Sequence, residues 1–355
     1  MKKLIDKLEK NRNLSKEELT MLVADQSAEN LQYLNERAVA VRRSVFGNSV
    51  YIRGLIEFTN YCKNDCYYCG LRCSNRKADR YRLTPKQILQ CCRKGHELGF
   101  RTFVLQGGED PYWNDERLEV LIGEIKREHP DCALTLSIGE RERKSYQRLY
   151  DAGADRFLLR HETANADHYG MLHPAEMSHA NRLRCLKDLK EIGFQTGCGF
   201  MVGSPGQTTE TLVEDLMFIR EFEPAMVGIG PFIPAGNTPF SGEKTGSVEL
   251  TLRLLSIIRL MNPKVLLPAT TALGTAKEDG RAMGIKAGAN VIMPNLSPTD
   301  VREKYRIYDN KLATGVEAAE GLKELELEMG KIGYKIEITR GDSPLCINTH
   351  KKQTN

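Results

Sequence analysis

From residue 50 onward the chain alternates two patterns. Short strand-like runs stand at 50–58, 102–106, 133–138, 155–160, 195–202, 226–230, 265–269 and 289–293. Each of the first seven is followed by a longer segment with apolar residues at helical spacing, at 85–98, 115–128, 143–152, 178–192, 208–222, 247–261 and 277–287. Repeated β-then-α units with right-handed crossovers most simply close on themselves. The expected fold is therefore α/β, a TIM-type (βα)8 barrel, with its chemistry at the carboxyl ends of the strands. A doubly wound open sheet is the alternative. Up to about residue 45 the pattern is helical: Ser15 and Glu18 make a capping box, and Leu19, Leu22 and Val23 recur behind it. That predicts an amphipathic hairpin packed on the barrel. The expected organisation is an N-terminal helical extension over 1–47, a barrel over 48–335 and a polar C-terminal tail over 336–355, loosely ordered beyond Gly341.

Composition narrows the setting without deciding it. The 355 residues are 41% hydrophobic and 28% charged, an ordinary globular balance that allows a sizeable core. Lys and Arg number 51 against 47 Asp and Glu, spread without a basic block, so nothing points to nucleic acid or a membrane surface. The amino terminus lacks the apolar stretch of a signal peptide, and no segment approaches about 18 apolar residues. A cytoplasmic protein with small-molecule and protein partners is expected. The ten cysteines do not read as a disulfide framework, because most are scattered through helices, strands and the tail.

Three of them do carry chemistry. Cys62-Lys63-Asn64-Asp65-Cys66-Tyr67-Tyr68-Cys69 directly follows the first strand-like run. A loop offering three thiolates at this spacing suits a cubane iron–sulfur cluster and leaves one iron open to a small molecule. With Cys73 as a fourth ligand the loop reads instead as a closed zinc site or an electron-transfer cluster, although the ferredoxin run has a different first spacing. The spacing, with an aromatic before the last cysteine, resembles the signature of the radical S-adenosylmethionine (SAM) superfamily. That resemblance implies one 4Fe-4S cluster on Cys62, Cys66 and Cys69, completed by SAM, which is cleaved to a 5′-deoxyadenosyl radical.

The strand ends supply what such a site needs. Gln106-Gly107-Gly108-Glu109 closes the second strand with glycines that let backbone approach a ligand, and Ser137 offers a hydroxyl at the third. The fourth ends Arg160-His161-Glu162-Thr163. Glu162 is suited to a ribose diol and Arg160 to an anion, the bland alternative being a pair with each other. His161 reads as a packed, hydrogen-bonded histidine rather than a metal ligand. Arg182, early in the next helix, is placed to pair a carboxylate, or is an ordinary solvated arginine. Gly199 closes strand five, suited to packing against an adenine, and Thr270 and Thr271 end strand seven with hydroxyls or simply cap the next segment.

Together, Tyr61 through Leu71, Tyr81-Arg82-Leu83-Thr84, Leu105 through Tyr112, Leu159 through Thr163, Gly199 through Gln207, Met226 through Pro234 and Pro268 through Thr275 resemble the HydE family of FeFe-hydrogenase maturases. Methylornithine synthase and biotin synthase are relatives in the wider group. The resemblance implies a role in building the diiron subcluster of the hydrogenase, with a cysteine-bound Fe(CO)2(CN) unit as substrate. It also implies transient contacts with the tyrosine-lyase and GTPase-scaffold maturases. Carried over by position, Tyr68 and Ile233 border the adenine, Glu162 the ribose, and Gly108 and Arg182 the methionine moiety. Gln106, Arg160, Thr270 and Thr271 face the substrate. Some family members hold a second cluster on three carboxy-terminal cysteines, but residues 311–329 contain none, so that cluster is expected to be missing. A radical SAM mutase with an amino-acid substrate and a non-catalytic iron–sulfur or zinc protein are the rival readings.

Overall fold

The computed structural model describes residues 1–313 and 315–346. Three helices, α1 (Lys2–Asn11), α2 (Lys16–Ala24) and α3 (Ala28–Phe46), open the chain where the pattern predicts a hairpin. The extra break follows from a second cap: Ser15 and Glu18 start α2, and Ser27 accepts from the Asn30 backbone to start α3. The group is tied to the barrel by Arg253 on Asp25 (3.0 Å) and by Ser256 donating to Asn35 (2.7 Å).

Two strands, β1 (Ser49–Ile52) and β2 (Gly54–Thr59), replace the single one expected over 50–58. Then follow α4 (Pro85–Glu97), β3 (Thr102–Gly107), α5 (Asp115–Glu128), β4 (Ala133–Ser137), α6 (Arg143–Asp151) and β5 (Arg156–Leu158). Next come α7 (Ala166–Leu172), α8 (His179–Ile192), β6 (Gln195–Cys198), β7 (Met201–Val202), α9 (Thr209–Phe222), β8 (Met226–Val227), β9 (Gly230–Pro231) and α10 (Val248–Met261). The chain finishes with α11 (Thr271–Ala276), α12 (Gly280–Lys286), β10 (Val291–Ile292), α13 (Thr299–Arg302), α14 (Leu322–Lys331) and β11 (Lys335–Glu337).

The sheet is parallel, ordered β2-β3-β4-β5-β6-β8. Bridges from Met226 to Leu266 and from Pro268 to Val291 carry the pairing on to β10, which pairs with β1. Since β1 runs into β2, the wall closes as a TIM-barrel-like α/β fold. The expected strand 265–269 is reduced to those bridges because Pro268 has no N–H to give a ladder. The expected helix 277–287 is shortened to α12, and the short helix α11, which carries no expectation, precedes it; the two pack closely enough that a Cβ on Gly280 would lie 2.0 Å from the Leu273 carbonyl. Helices α7, α13 and α14 and strand β11 carry no sequence expectation.

The carboxy-terminal segment is not loose where the structure describes it. Strand β11 pairs with β1, and Asp342 accepts from Arg156 and Gln195, each at 2.7 Å. Arg340 reaches Asp155 at 2.8 Å, so residues 340–343 close the amino-terminal end of the barrel over a fully buried Arg156. Residues 347–355 lie outside the described residues.

Candidate active site

The cysteine loop leaves the carboxyl end of β2 and is braced before the first cysteine. Asn60 donates to the carbonyls of Asp79 and Lys304 and accepts from the Tyr81 backbone. The Thr59 hydroxyl donates to Asp110 (2.7 Å), whose carboxylate is held two-pronged by Arg82 at 2.6 and 3.0 Å. Arg82 in turn lies 3.7 Å over the Tyr61 ring. Burial pushes the Asp110 carboxyl up, but Arg82 and Thr59 outweigh it and hold it below the usual range. A carboxyl so depressed adds stability above its unfolded value of about 3.9 and loses it as pH falls through the folded value. Asp110→Asn is expected to cost about 2 kcal/mol, between the range for exposed pairs and that for breaking a fully buried pair, because Arg82 is partly exposed. Denaturant unfolding measures this, and an unchanged midpoint refutes it.

Cys62, Cys66 and Cys69 are partly buried, whereas Cys73 is exposed on the outer side of the loop beside Asp65 and Ser74. Burial, then the charges of Cys69 and Cys62, push the Cys66 thiol far up; burial, then Cys62, pushes Cys69 up to about 12. Each of the three therefore lies in the field of another. Glu162 and Arg182 act on Cys66 as well, which puts the strand-four end and α8 at the same place.

Gly107 and Gly108 end β3 against this loop. A Cβ on Gly108 would stand 2.2 Å from the Tyr61 carbonyl oxygen and 2.7 Å from Cys62 Cβ. The glycine is thus required by the cysteine loop's own backbone. Glu109 ties the same turn down: its carbonyl accepts from the Lys63 N–H (2.9 Å), its carboxylate from the Glu140 N–H (2.9 Å). Ser137 stands half-buried in register with Gln106.

Glu162 is 7% exposed and adopts φ +65°, a left-handed conformation costing a non-glycine residue about 1–2 kcal/mol. Its Oε2 lies 3.6 Å from Arg160 Nη2, so the two do pair as the bland reading has it, but too loosely for a hydrogen bond. Glu162 Oε2, Arg160 Nε and Nη2 and Thr270 Oγ1 are all buried without a hydrogen-bond partner. Such atoms concentrated at one barrel mouth call for a ligand.

The neighbouring candidates are more committed. Arg182 donates to Glu140 (2.5 Å) and to the Arg160 carbonyl (2.7 Å), and Thr271 donates to Glu317 (3.1 Å). Tyr68 packs with Leu172, Met201, Phe232 and Phe240. Its hydroxyl stands 3.3 Å from His173 Nε2, and His173 Nδ1 3.0 Å from the Tyr169 carbonyl. The carbonyl requires Nδ1–H, so Tyr68 donates to Nε2; burial lowers His173 to about 4 and keeps it neutral. Ile233, half-buried, follows Phe232 along this apolar wall. Gly199 donates to His161 Nδ1 (3.2 Å), and a Cβ there would lie 2.0 Å from the Gly228 carbonyl oxygen. His161 is fully buried with Asp215 at 3.2 Å.

Sequence reasoning missed an ion pair inside the barrel. Glu57 on β2, fully buried, meets Lys311 Nζ at 2.8 Å and accepts from Asn295 at 2.8 Å. The Lys311 ammonium lies 5.5 Å from the Tyr305 ring. The one available signal was a glutamate inside the apolar run Leu55-Ile56-Glu57-Phe58. Outside the loop, a cleft of about 690 Å³ opens between Lys63, Asp65, Tyr67 and Met177, whose sulfur is 3.7 Å from Cys66 Sγ.

Comparison with known proteins places this architecture. Residues 56–219 match the family model described as Radical SAM superfamily. The chain is 44% identical over 311 residues, 88% of each chain, to the [FeFe] hydrogenase maturase subunit HydE of Thermotoga maritima. It is 31% identical to the 3-methylornithine synthase of Methanosarcina barkeri, over 86% of this chain and 87% of that one. The crystal structure of methylornithine synthase (PylB) superposes with a TM-score of 0.84 at 29% identity, covering 94% of this chain and 97% of the other. No helix among the described residues is long and apolar enough to cross a membrane. The chain belongs to the radical SAM superfamily of enzymes and, within it, to the HydE-like group.

Proposed function

We propose that this enzyme is an FeFe-hydrogenase maturase that binds one 4Fe-4S cluster and SAM and acts on a cysteine-bound Fe(CO)2(CN) precursor of the diiron subcluster. The observation that carries the reading is the 44% identity to the Thermotoga maritima maturase over nearly the whole chain, against 31% to the mutase. The residues fit the implied groups: three free thiols lie in one another's field, and orphaned buried polar atoms stand beside them. Cys62, Cys66 and Cys69 hold the cluster. Bound together, cluster and SAM supply a 5′-deoxyadenosyl radical.

The chain's own residues do the rest. Glu162 Oε2 accepts from ribose hydroxyls, while Tyr68, Phe232 and Ile233 form the apolar wall that keeps water from the adenine. Gly107, Gly108 and Glu109 hold the loop at the distance that leaves room for the amino-acid end of SAM, with Ser137 and Gly199 lining the same mouth. Arg182 positions the Arg160 backbone through its bond to the carbonyl. Arg160, Thr270, Thr271 and Gln106 receive the substrate; a guanidinium fork beside hydroxyls suits an anionic iron cyanide complex. Its precursor comes from a tyrosine-lyase maturase and its product passes to a GTPase scaffold maturase, both transient partners in the cytoplasm.

Supplying the anaerobically reconstituted enzyme to a hydrogenase-maturation reaction lacking this component tests the reading; active hydrogenase supports it, and formation of methylornithine from an amino-acid substrate would favour the mutase. One cubane is expected, about four irons per chain. Iron analysis with Mössbauer spectra checks this, and a doubled iron content refutes it.

A further inference from the structure

At the opposite end of the barrel, away from the cysteine loop, a second group of metal-ligand side chains comes together. His96 lies in the last turn of α4, and Asp131 and Cys132 in the turn between α5 and β4. His96 Nε2, an Asp131 carboxylate oxygen and Cys132 Sγ all lie within 4.8 Å of one another. His96 Nε2 is 3.2 and 3.3 Å from the two Asp131 oxygens, and Cys132 Sγ is 3.8 Å from Oδ1. Tetrahedral bonds of zinc length put ligand atoms about 3.3–3.8 Å apart, which the two contacts to Asp131 nearly match, and closing His96 on Cys132 from within 4.8 Å completes the set.

We propose that His96, Asp131 and Cys132 form a three-ligand zinc site, its fourth position left to solvent, that pins the end of α4 to the turn preceding β4. One nitrogen, one oxygen and one sulfur donor make a borderline set that suits zinc better than the hard cations. The surroundings have the outer layer that such ligands keep. Arg101 Nε stands 2.8 Å from Asp131 Oδ2, leaving Oδ1 to the metal. The His129 ring stacks on His96 with centroids 4.8 Å apart, which fixes the imidazole plane. His129 is 6% exposed and its Nε2 is buried without a hydrogen-bond partner, an unpaired polar atom on the ring stacked against the site. The solvent side is open through Asp131, whose side chain is 51% exposed, while Cys132 is buried. The amino-terminal face of a barrel of this kind serves stability rather than chemistry, so this metal holds the scaffold and takes no part in the reaction.

The test uses enzyme already carrying its iron–sulfur cluster, freed of loose metal with a chelator and titrated with zinc ion alone. One zinc per chain beyond the iron is expected to survive gel filtration. His96→Ala, at a partly exposed position the fold tolerates, is expected to weaken zinc binding at least about tenfold, as is Asp131→Asn, while Cys91→Ser is expected to bind zinc as before. Zinc-edge X-ray absorption is expected to show one sulfur among nitrogen and oxygen neighbours. Zinc also raises the melting temperature of the wild type but not of His96→Ala. Zinc retained equally by wild type and His96→Ala, zinc not retained by the wild type, or an absorption spectrum with three sulfur neighbours overturns the assignment.

Discussion

Alanine at any one of Cys62, Cys66 or Cys69 is expected to reduce SAM cleavage to background, while Cys73→Ala retains it. The three thiols are partly buried in one loop, and the charges of Cys69 and Cys62 both act on Cys66. Cys73 differs in being exposed to solvent. A cubane anchored by two thiolates lacks the ligands that hold it. Proton linkage gives a second readout. Burial holds the Cys69 thiol up at about 12, so each ligand must shed a proton that it would otherwise keep at neutral pH. Cluster loading therefore releases about three protons per chain and becomes more favourable as pH rises, the direction required when the bound form is the deprotonated one. Deoxyadenosine formed under reduction, measured by chromatography on each anaerobically reconstituted variant, decides the assignment. Activity kept in Cys69→Ala and lost in Cys73→Ala refutes it.

What the sequence revealed follows from the range of the forces involved. Local spacing and capping are written in neighbouring residues, so α2, α4, α5, α9 and α10 begin where Ser15, Thr84, Asn114, Thr208 and Ser247 accept from the backbone. The cysteine loop was legible for the same reason. The breaks were not, because they arise from closure of the wall. Gly199 is needed where Gly228 comes within 2.0 Å of its missing Cβ, and that approach belongs to the barrel, not to either strand. Arg182 reads in sequence as a partner for a carboxylate at the mouth or as a solvated arginine, yet Glu140, 42 positions away, holds it. Glu57 and Lys311 meet across more than 250 positions, and an isolated lysine in a stretch read only for cysteines gives no hint of it. The carboxy-terminal segment looked polar and therefore loose, but its charges answer a buried Arg156 that no local pattern announces. Long-range electrostatic pairing was the information missing from the chain read residue by residue.

The largest separable effect at the barrel mouth is expected between Glu162 and Arg160. Glu162→Gln keeps shape and the left-handed backbone but removes the charge from a carboxylate whose Oε2 is buried without a partner. Losing charge-assisted hydrogen bonds to ribose costs about 1–3 kcal/mol, or roughly 5- to 150-fold in SAM affinity. Arg160 is placed differently. Its Nε and Nη2 are also without partners, but its backbone carbonyl is held by Arg182, so exchanging the side chain leaves the strand end in place. Arg160→Met is therefore expected to keep the cluster and most of the SAM affinity while radical formation no longer yields product. Because Arg160 Nη2 lies 3.6 Å from Glu162, Arg160→Lys serves as the companion variant: it preserves a cation near the carboxylate and removes the planar fork. If the fork matters for substrate, Lys fails to mature hydrogenase as Met does, while binding SAM as the wild type does. Anaerobic SAM titration of the three variants, followed by deoxyadenosine and hydrogenase-maturation measurements on the same samples, separates the two roles. Should Arg160→Lys lose SAM as severely as Glu162→Gln, both residues serve the cofactor. The proposed anionic substrate would then be held elsewhere in the barrel, with Lys311 beside Glu57 the next cation to remove.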